Sequence, residues 1–572
     1  MLAAAAALWS PAAARAQGDL PVAYVFVISG ATLEDLLDVP ELRVLAGVGG
    51  ASLVTTRTTV GEEVSRAFCP DPRMDVPCGG PDDLRIWFDG SKAGPDGHAD
   101  RQALAAFADL LAQDVMGHNF GRTLVIVASD APPPASSARG DQLGGVILAQ
   151  GPGLNLARLL SEDRERPPGT LTSGSTRRDG VVAPVDVPAT VAAFLGVPYE
   201  GIGTPIRRVA VPPPLDLHAK YVQYRELSAP IQTGVGVWEL GIGALALTAL
   251  RVRRRALVRV SLGATLSVPV LFLALLLVGH LPTISYATVV PVLVASTAIP
   301  GIALLRMVER RGIGAALAWS GGIGLGGLVL ESLLGWNAAL APMLGGSHLD
   351  GARFFGMPNV EIGLALGGAT LVAARIRSTI AGAGLIAAAG LWFGSPWFGS
   401  NLGASVTLFA GAGLWLGIRG KRGWRRTGVA TVACATFGAA LVVFAHRFLT
   451  DAPTHITRFA ESSGGITGIL EKTIDRLEIG VRLVADQPPA LIPVVGTLVA
   501  LVVVLSRPPG ALRAGFALEP DARSAALTIL LGSVVAYLAN DTGAAALGLG
   551  FGTAMVTLFA VSLAAAREKM VT

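Results

Sequence analysis

The residues of this chain best suited to chemistry stand where their surroundings are least hospitable. The stretch Gly346-Ser-His-Leu-Asp-Gly-Ala-Arg-Phe-Phe-Gly-Met-Pro-Asn-Val-Glu361 lies in the middle of a long hydrophobic half, yet carries His348, Asp350, Arg353, Asn359 and Glu361. Polar groups flanked by apolar segments of membrane length must meet water or each other, and ionisable residues at such depth mark functional sites by default. Two further polar turns share the setting, Gly394-Ser-Pro-Trp-Phe-Gly-Ser-Asn401 and Asn540-Asp541-Thr542-Gly543. Asp350, Arg353, Asn359, Glu361, Asn401, Asn540 and Asp541 are therefore candidates for one polar pocket, in which Arg353 pairs with a carboxylate. A pocket of that kind suits a lipid-linked phosphate or sugar, or an ion or proton path. The competing reading makes the same residues helix caps in interfacial loops.

A second group lies earlier. Leu171-Thr-Ser-Gly-Ser-Thr-Arg-Arg178 is rich in hydroxyls, and Arg177 and Arg178 could clamp an anionic head group bidentately, against the reading of a solvated loop. Cys69 and Cys78 sit in a Pro/Gly/Asp-rich loop and form a disulfide if this half is extracytoplasmic, or remain two free thiols. His446 and His455 have no third ligand at suitable spacing and read as interfacial. No metal ligand set and no cofactor motif is expected.

These residues must be positioned by two very different halves. Only 15% of the 572 residues are charged and 52% are hydrophobic, against about 25% charged in a soluble protein. The calculated isoelectric point near 9.1 comes largely from Arg in short loops beside apolar runs, which argues for membrane orientation and against nucleic acid as a partner. Residues 1–17 read as a signal-peptide-like segment with an A-x-A-like site at Ala14-Arg15-Ala16, cleaved or disordered. Residues 18–211 read as an α/β domain. Its expected strands are 22–28, 51–57, 123–129 and 145–149, its expected helices 32–37, 100–116 and 187–195, and the alternation predicts a mostly parallel sheet. Asp186 is a natural N-cap for the last helix.

A linker at 212–232 leads into a transmembrane domain at 233–572. About eleven apolar segments are expected there, centred near Leu240, Val270, Val292, Gly324, Leu366, Ala387, Phe409, Phe437, Val499, Leu531 and Val556. Six Arg/Lys clusters (251–259, 306–311, 375–377, 419–426, 507–513 and 567–569) fall in alternate loops, which the positive-inside rule assigns to the cytoplasm. That places the α/β domain and the polar turns outside and the C-terminus inside. Residues 464–485 place Ile466, Leu470, Ile474, Leu477 and Val481 at helical spacing opposite charges, as an amphipathic helix in the outer interface.

Three stretches of the first half resemble the alkaline phosphatase superfamily: Tyr24-Val-Phe-Val-Ile-Ser-Gly30, Thr123-Leu-Val-Ile-Val-Ala-Ser-Asp130, and Pro184-Val-Asp-Val-Pro-Ala-Thr-Val-Ala-Ala-Phe-Leu-Gly-Val-Pro198 followed by Gly201-Ile-Gly203. The resemblance covers roughly residues 20 to 210 and implies a fold of that type. Enzymes of the superfamily hold two divalent metals with Asp and His ligands around a Ser or Thr nucleophile, so that paired cations stabilise the attacking and leaving oxygens. This chain departs at those positions. It has Ser29-Gly30 after the first strand and Ser129-Asp130-Ala131-Pro132 after the later one, and His98 and His118 do not stand where the late histidine ligand belongs. Asp130 and Asp186 remain, and Ser29 lacks an assignable base. The domain thus reads as catalytically degenerate. The whole chain is also similar, at Gly351–Glu361, Phe398–Gly403 and Asn540–Gly543, to poorly characterised bacterial membrane proteins that join such a domain to a polytopic half.

The expected function is a bacterial cell-envelope membrane protein. Its membrane half binds or processes a lipid-linked phosphorylated or glycosylated precursor at the outer leaflet, with the α/β domain as accessory. A transporter or flippase using the same cluster, and a metal-dependent phospho- or sulfo-hydrolase, are the alternatives.

Overall fold

The computed structural model describes residues 21–55, 60–68, 84–89, 122–130, 143–151, 168–199, 201, 203–213, 215–350, 355–450, 454, 456–457, 474, 478, 481, 491–506, 508–540 and 543–570. The chain divides into two compact units, Met1–Glu226 with Ser347–Phe355, and Leu227–Gly346 with Gly356–Thr572.

Among the described residues, the first unit is built on an eight-stranded sheet. Its centre is β1 (Pro21–Ser29) and β4 (Arg122–Asp130), parallel and in register from Pro21↔Arg122 to Ser29↔Asp130. Both are continuous apolar runs buried on both faces, the pattern of a strand covered by helices. Thr32 caps α1 (Leu33–Asp38) in a reciprocal box with Asp35, and Pro40 opens α2 (Pro40–Val48), where its missing N–H costs nothing. The chain continues through β2 (Gly50–Val54), α3 (Val60–Phe68), β3 (Leu84–Asp89), β5 (Gly144–Gly151), β6 (Thr170–Thr172), β7 (Val181–Val182), α4 (Asp186–Leu195) and β8 (Arg207–Val209). Gly196, at φ 73°, ends α4 in the left-handed conformation. Strand order is β3-β1-β4-β5-β2-β6-β8, with β7 beside β2.

The sheet is mixed rather than mostly parallel, because β5 runs antiparallel to both β4 and β2, and β8 antiparallel to β6. Strands β3, β6, β7 and β8 and helices α2 and α3 were not expected from the sequence. The expected helix at 100–116 lies outside the described residues, as do residues 1–17, Cys69, Cys78, His98 and His118.

In the second unit each of the eleven expected centres falls in a helix. They are α5 (Leu215–Val252), α6 (Arg255–Leu277), α7 (Tyr286–Arg311), α8 (Ile313–Leu333), α9 (Ile362–Ala373), α10 (Thr379–Gly394), α11 (Leu402–Arg419), α12 (Trp424–Phe448), α13 (Leu491–Leu505) with α14 (Gly510–Leu518), α15 (Pro520–Ala539) and α16 (Gly543–Glu568). The stretch expected as a linker is for the most part the start of α5, a single helix with Pro230 inside it. Among the described residues, eight helices are long and apolar enough to cross a membrane, and α13 with α14 form one further pair bent by 71°. Helices α9 and α10 are apolar but shorter. Residues 474, 478 and 481 of the expected amphipathic stretch are helical, and the rest of it lies outside the described residues.

Side-chain contacts sort the ends of these helices. At one end Glu309 accepts from Arg259 (2.8 Å) and Arg567 (3.3 Å), Asp521 accepts from Arg419 (2.9 Å), and Arg375 stands 3.6 Å from Glu519. At the other end the polar turns meet one another. Helices α5, α7 and α12 bury little of their apolar surface, with Ile299 at 68% and Val429 at 71% exposure. Bare faces of that extent are unfavourable in water and neutral in hydrocarbon. The arrangement is that of a multi-pass membrane protein.

Candidate functional site

Three polar turns of the second unit converge at the ends of α9, α11 and α15. Asn401 is fully buried and is the N-cap of α11, where its Oδ1 accepts from the Ala404 N–H at 2.9 Å. Its Nδ2 donates to Met357 O at 2.8 Å and to Asn359 Oδ1 at 3.0 Å, tying the cap to the turn before α9. That turn, the 3-10 segment Asn359–Glu361, carries Glu361 at 0% exposure into the start of α9. A Cβ placed on Gly403 would fall 1.9 Å from Asn540 Oδ1, so Asn540 lies against the first turn of α11. Asn540 is 4% exposed and spends its Nδ2–H on Ala536 O at 2.8 Å. Amides and a carboxylate buried together at helix ends present donors and acceptors of the kind that hydroxyl and phosphoryl groups require.

The backbone here is held in uncommon conformations. Trp336 (φ 61°), Ser400 (φ 45°) and Gly356 (φ 93°) are left-handed, and a Cβ on Gly356 would stand 2.0 Å from Gly399 O. Left-handed bulky residues are costly and concentrate where surrounding structure enforces a functional geometry. The Trp336 indole N–H donates to Phe398 O, and the Trp392 indole N–H to Ser332 Oγ at 2.8 Å, so these aromatic rings brace the same turns.

Other candidates are occupied within the first unit. Asp350 accepts from Tyr221 Oη at 2.6 Å and from the Ser347 N–H at 3.0 Å, with Arg225 at 3.8 Å. Arg178, 8% exposed, donates from Nη2 to His348 Nδ1 at 3.0 Å. Because a guanidinium only donates, that nitrogen of His348 is the bare one. Arg177 lies over the Phe355 ring at 4.4 Å, and burial lowers its guanidinium from the usual value. The two arginines thus fasten Ser347–Phe355 to the hydroxyl-rich loop. Arg353 and Asp541 lie outside the described residues.

Asp186 is neither a helix cap nor a free ligand. It is the first residue of α4, and its fully buried carboxylate turns back to accept from the Ala183 N–H (2.8 Å), the Thr204 N–H (2.9 Å) and the hydroxyls of Ser173 and Ser175. Burial raises its pKa, and those hydrogen bonds pull it back part of the way. The loop expected as solvated is therefore folded around this carboxylate, with Ser173 and Thr176 buried. The side chains of Ser29 and Asp130 lie outside the described residues. Among the described residues no three His, Cys, Asp or Glu side chains are grouped to hold a metal ion.

Compared with known families, characterised proteins and solved structures, the chain has no match.

One pair escaped the sequence reading. His280 Nε2–H donates to Glu331 Oε2 at 2.6 Å, and the Ala338 N–H donates to Glu331 Oε1 at 2.6 Å. Each is a lone ionisable residue near the end of an apolar run, the signal that could have found them. His446, expected at an interface, is 1% exposed and lies with Nε2 3.0 Å from Gly394 O.

Proposed function

We propose that this chain is a multi-pass membrane protein of the bacterial cell envelope whose helical unit binds the head group of a lipid-linked, phosphorylated or glycosylated substrate among the polar turns. One observation carries the reading: Asn359, Glu361, Asn401 and Asn540 gather at one end of a bundle whose outer helices leave bare apolar faces. A head group enters such a cluster from the interface while its lipid chain stays against α5, α7 or α12. The Arg-rich helix ends, held by Glu309, Glu519 and Asp521, belong in the cytoplasm by the positive-inside rule, so the polar turns and the α/β unit lie outside. On this reading the chain crosses eleven times, with the bent pair as one crossing and α9 and α10 as short ones. The α/β unit is an accessory of degenerate alkaline-phosphatase type, a reading supported by the full engagement of Asp186.

The transporter or flippase alternative draws on close backbone approach, which favours helices that shift against each other. A Cβ on Gly363 would stand 2.4 Å from Gly550 N, and one on Gly263 would stand 3.1 Å from Gly301 O. Substrate-dependent ion or proton movement in proteoliposomes separates it from binding alone.

The test is retention of polyprenyl phosphate by the full chain in nanodiscs, read by native mass spectrometry. Wild type retains the lipid, while Glu361→Gln and Asn540→Ala each lose roughly tenfold in affinity, the worth of one buried polar contact. Equal retention by both variants overturns the proposal.

A further inference from the structure

The His280–Glu331 pair is isolated to an unusual degree. Between Val260 and Gly346 the charged residues outside the Arg306–Arg311 cluster are His280 and Glu331, and Tyr286 is the one further titratable side chain. The segments packed nearby, 362–374, 378–418 and 543–566, contain no Asp, Glu, Lys, Arg, His, Tyr or Cys. Among the described residues, the further carboxylates of the second unit away from the Arg-rich helix ends are Glu239, Glu361 and Glu478.

Glu331 is fully buried in the last turn of α8, where the helix dipole disfavours an anion, and it is held by one backbone N–H and one imidazole. A buried carboxylate kept only for stability is a poor choice, since an apolar residue of similar size usually serves as well. His280 is different. Its side chain is 39% exposed, and Nε2 makes its one hydrogen bond among the described residues, so Nδ1 is open to take up a proton.

The pair also has a mechanical route to the polar turns. Glu331 accepts through its own backbone carbonyl from the Trp336 N–H at 3.0 Å, and through its side chain from Ala338, so it organises both ends of the 336–338 turn. Trp336, strained at φ 61° and fully buried, passes its indole N–H to Phe398 O in the turn that ends at Asn401.

We propose that His280 and Glu331 form a proton-binding site whose occupancy sets the conformation of the polar turns through Trp336. Uptake of a proton at Nδ1 converts the imidazole to a cation, so that its hydrogen bond to the Glu331 carboxylate joins two charged groups and becomes shorter and stronger. Acid therefore tightens the 331–340 turn and, through the indole, the 394–401 turn. The consequence for ligand binding, that head-group affinity follows pH, rests on the function proposed above; the proton link itself does not.

The experiment is hydrogen exchange by mass spectrometry on the full chain in detergent micelles without added ligand, at pH 8 and pH 5.5, corrected for intrinsic exchange rates. In wild type, peptides covering 331–340 and 394–404 gain roughly tenfold protection at the lower pH, the factor one charge-assisted hydrogen bond carries. In His280→Gln, which keeps a donor but cannot take up a proton, neither peptide responds. In Trp336→Phe the first peptide still responds and the second does not. The proposal is overturned if wild type shows no response at 331–340, or if 394–404 responds equally in His280→Gln or in Trp336→Phe. Lipid retention plays no part in this readout, so either proposal can fail while the other stands.

Discussion

Replacing Asn401 by Ala removes three hydrogen bonds at once, and their separate costs can be worked out. Loss of the N-cap of α11 costs about 1 kcal/mol. The Met357 carbonyl, buried and deprived of Nδ2–H, adds about 1–2 kcal/mol. Asn359 is only half-buried, so water can replace the third bond and its share is small. The expected total is about 3 kcal/mol, roughly a hundredfold in the unfolding equilibrium. Asn401→Ser divides the sum, because serine caps a helix as well as asparagine but is too short to reach Met357 or Asn359; it should restore about 1 kcal/mol. The assay is a denaturant titration of the full chain in mixed micelles. Tryptophan fluorescence reports mainly the helical unit, where Trp336, Trp392 and Trp415 lie. A cost below about 1 kcal/mol for Ala would refute the reasoning. So would complete recovery in Ser, since the link between the turns would then carry nothing.

Asp186→Asn puts an amide NH2 in place of one carboxylate oxygen, against either the Ala183 N–H or the Thr204 N–H, and should destabilise the first unit by about 2–3 kcal/mol, read by thermal unfolding. The pH dependence has a defined sign. Burial raises the folded pKa, so the folded state holds the proton more tightly than the unfolded chain, and the contribution of Asp186 to stability is lost as pH rises from about 3.9 through the raised value. The variant should lack that slope. Gly363→Ala places a Cβ 2.2 Å from Ala546 O and must push α9 off α16, for an expected loss of about 1–3 kcal/mol and a lower midpoint in the same micelle titration. In a cysteine-free background, Thr283→Cys should react with an impermeant maleimide on intact cells, and Lys421→Cys only after permeabilisation. The reverse pattern would invert the proposed orientation.

The sequence made the strongest elements legible and hid the weakest. Strands β1 and β4 are largely apolar runs, and the eleven helical centres lie in apolar segments, so composition alone announces them. Strand β3, Leu84-Arg-Ile-Trp-Phe-Asp89, carries the charges Arg85 and Asp89 within it, and β7 has only two residues, too few for any periodicity. The reversed direction of β5 was invisible because pairing direction depends on the partner strand, which single-strand pattern does not encode. At the site, Asn359, Asn401 and Asn540 were singled out by their setting, and the structure brings them together. Asp350 was singled out for the same reason but answers to Tyr221. Asp186 misled because a capping pattern does not reveal which way the carboxylate turns. His280 and Glu331 lie 51 residues apart, separated by α7 and most of α8, and nothing in local spacing joins them.

The most direct test of the central claim is photo-crosslinking of the full chain in membranes with a polyprenyl phosphate bearing the reactive group at its head. Crosslinked peptides should map to 357–361, 399–403 and 536–540. Labelling confined to the bare faces of α5, α7 and α12 would mean that the lipid is only solvent, and the polar turns are not its site.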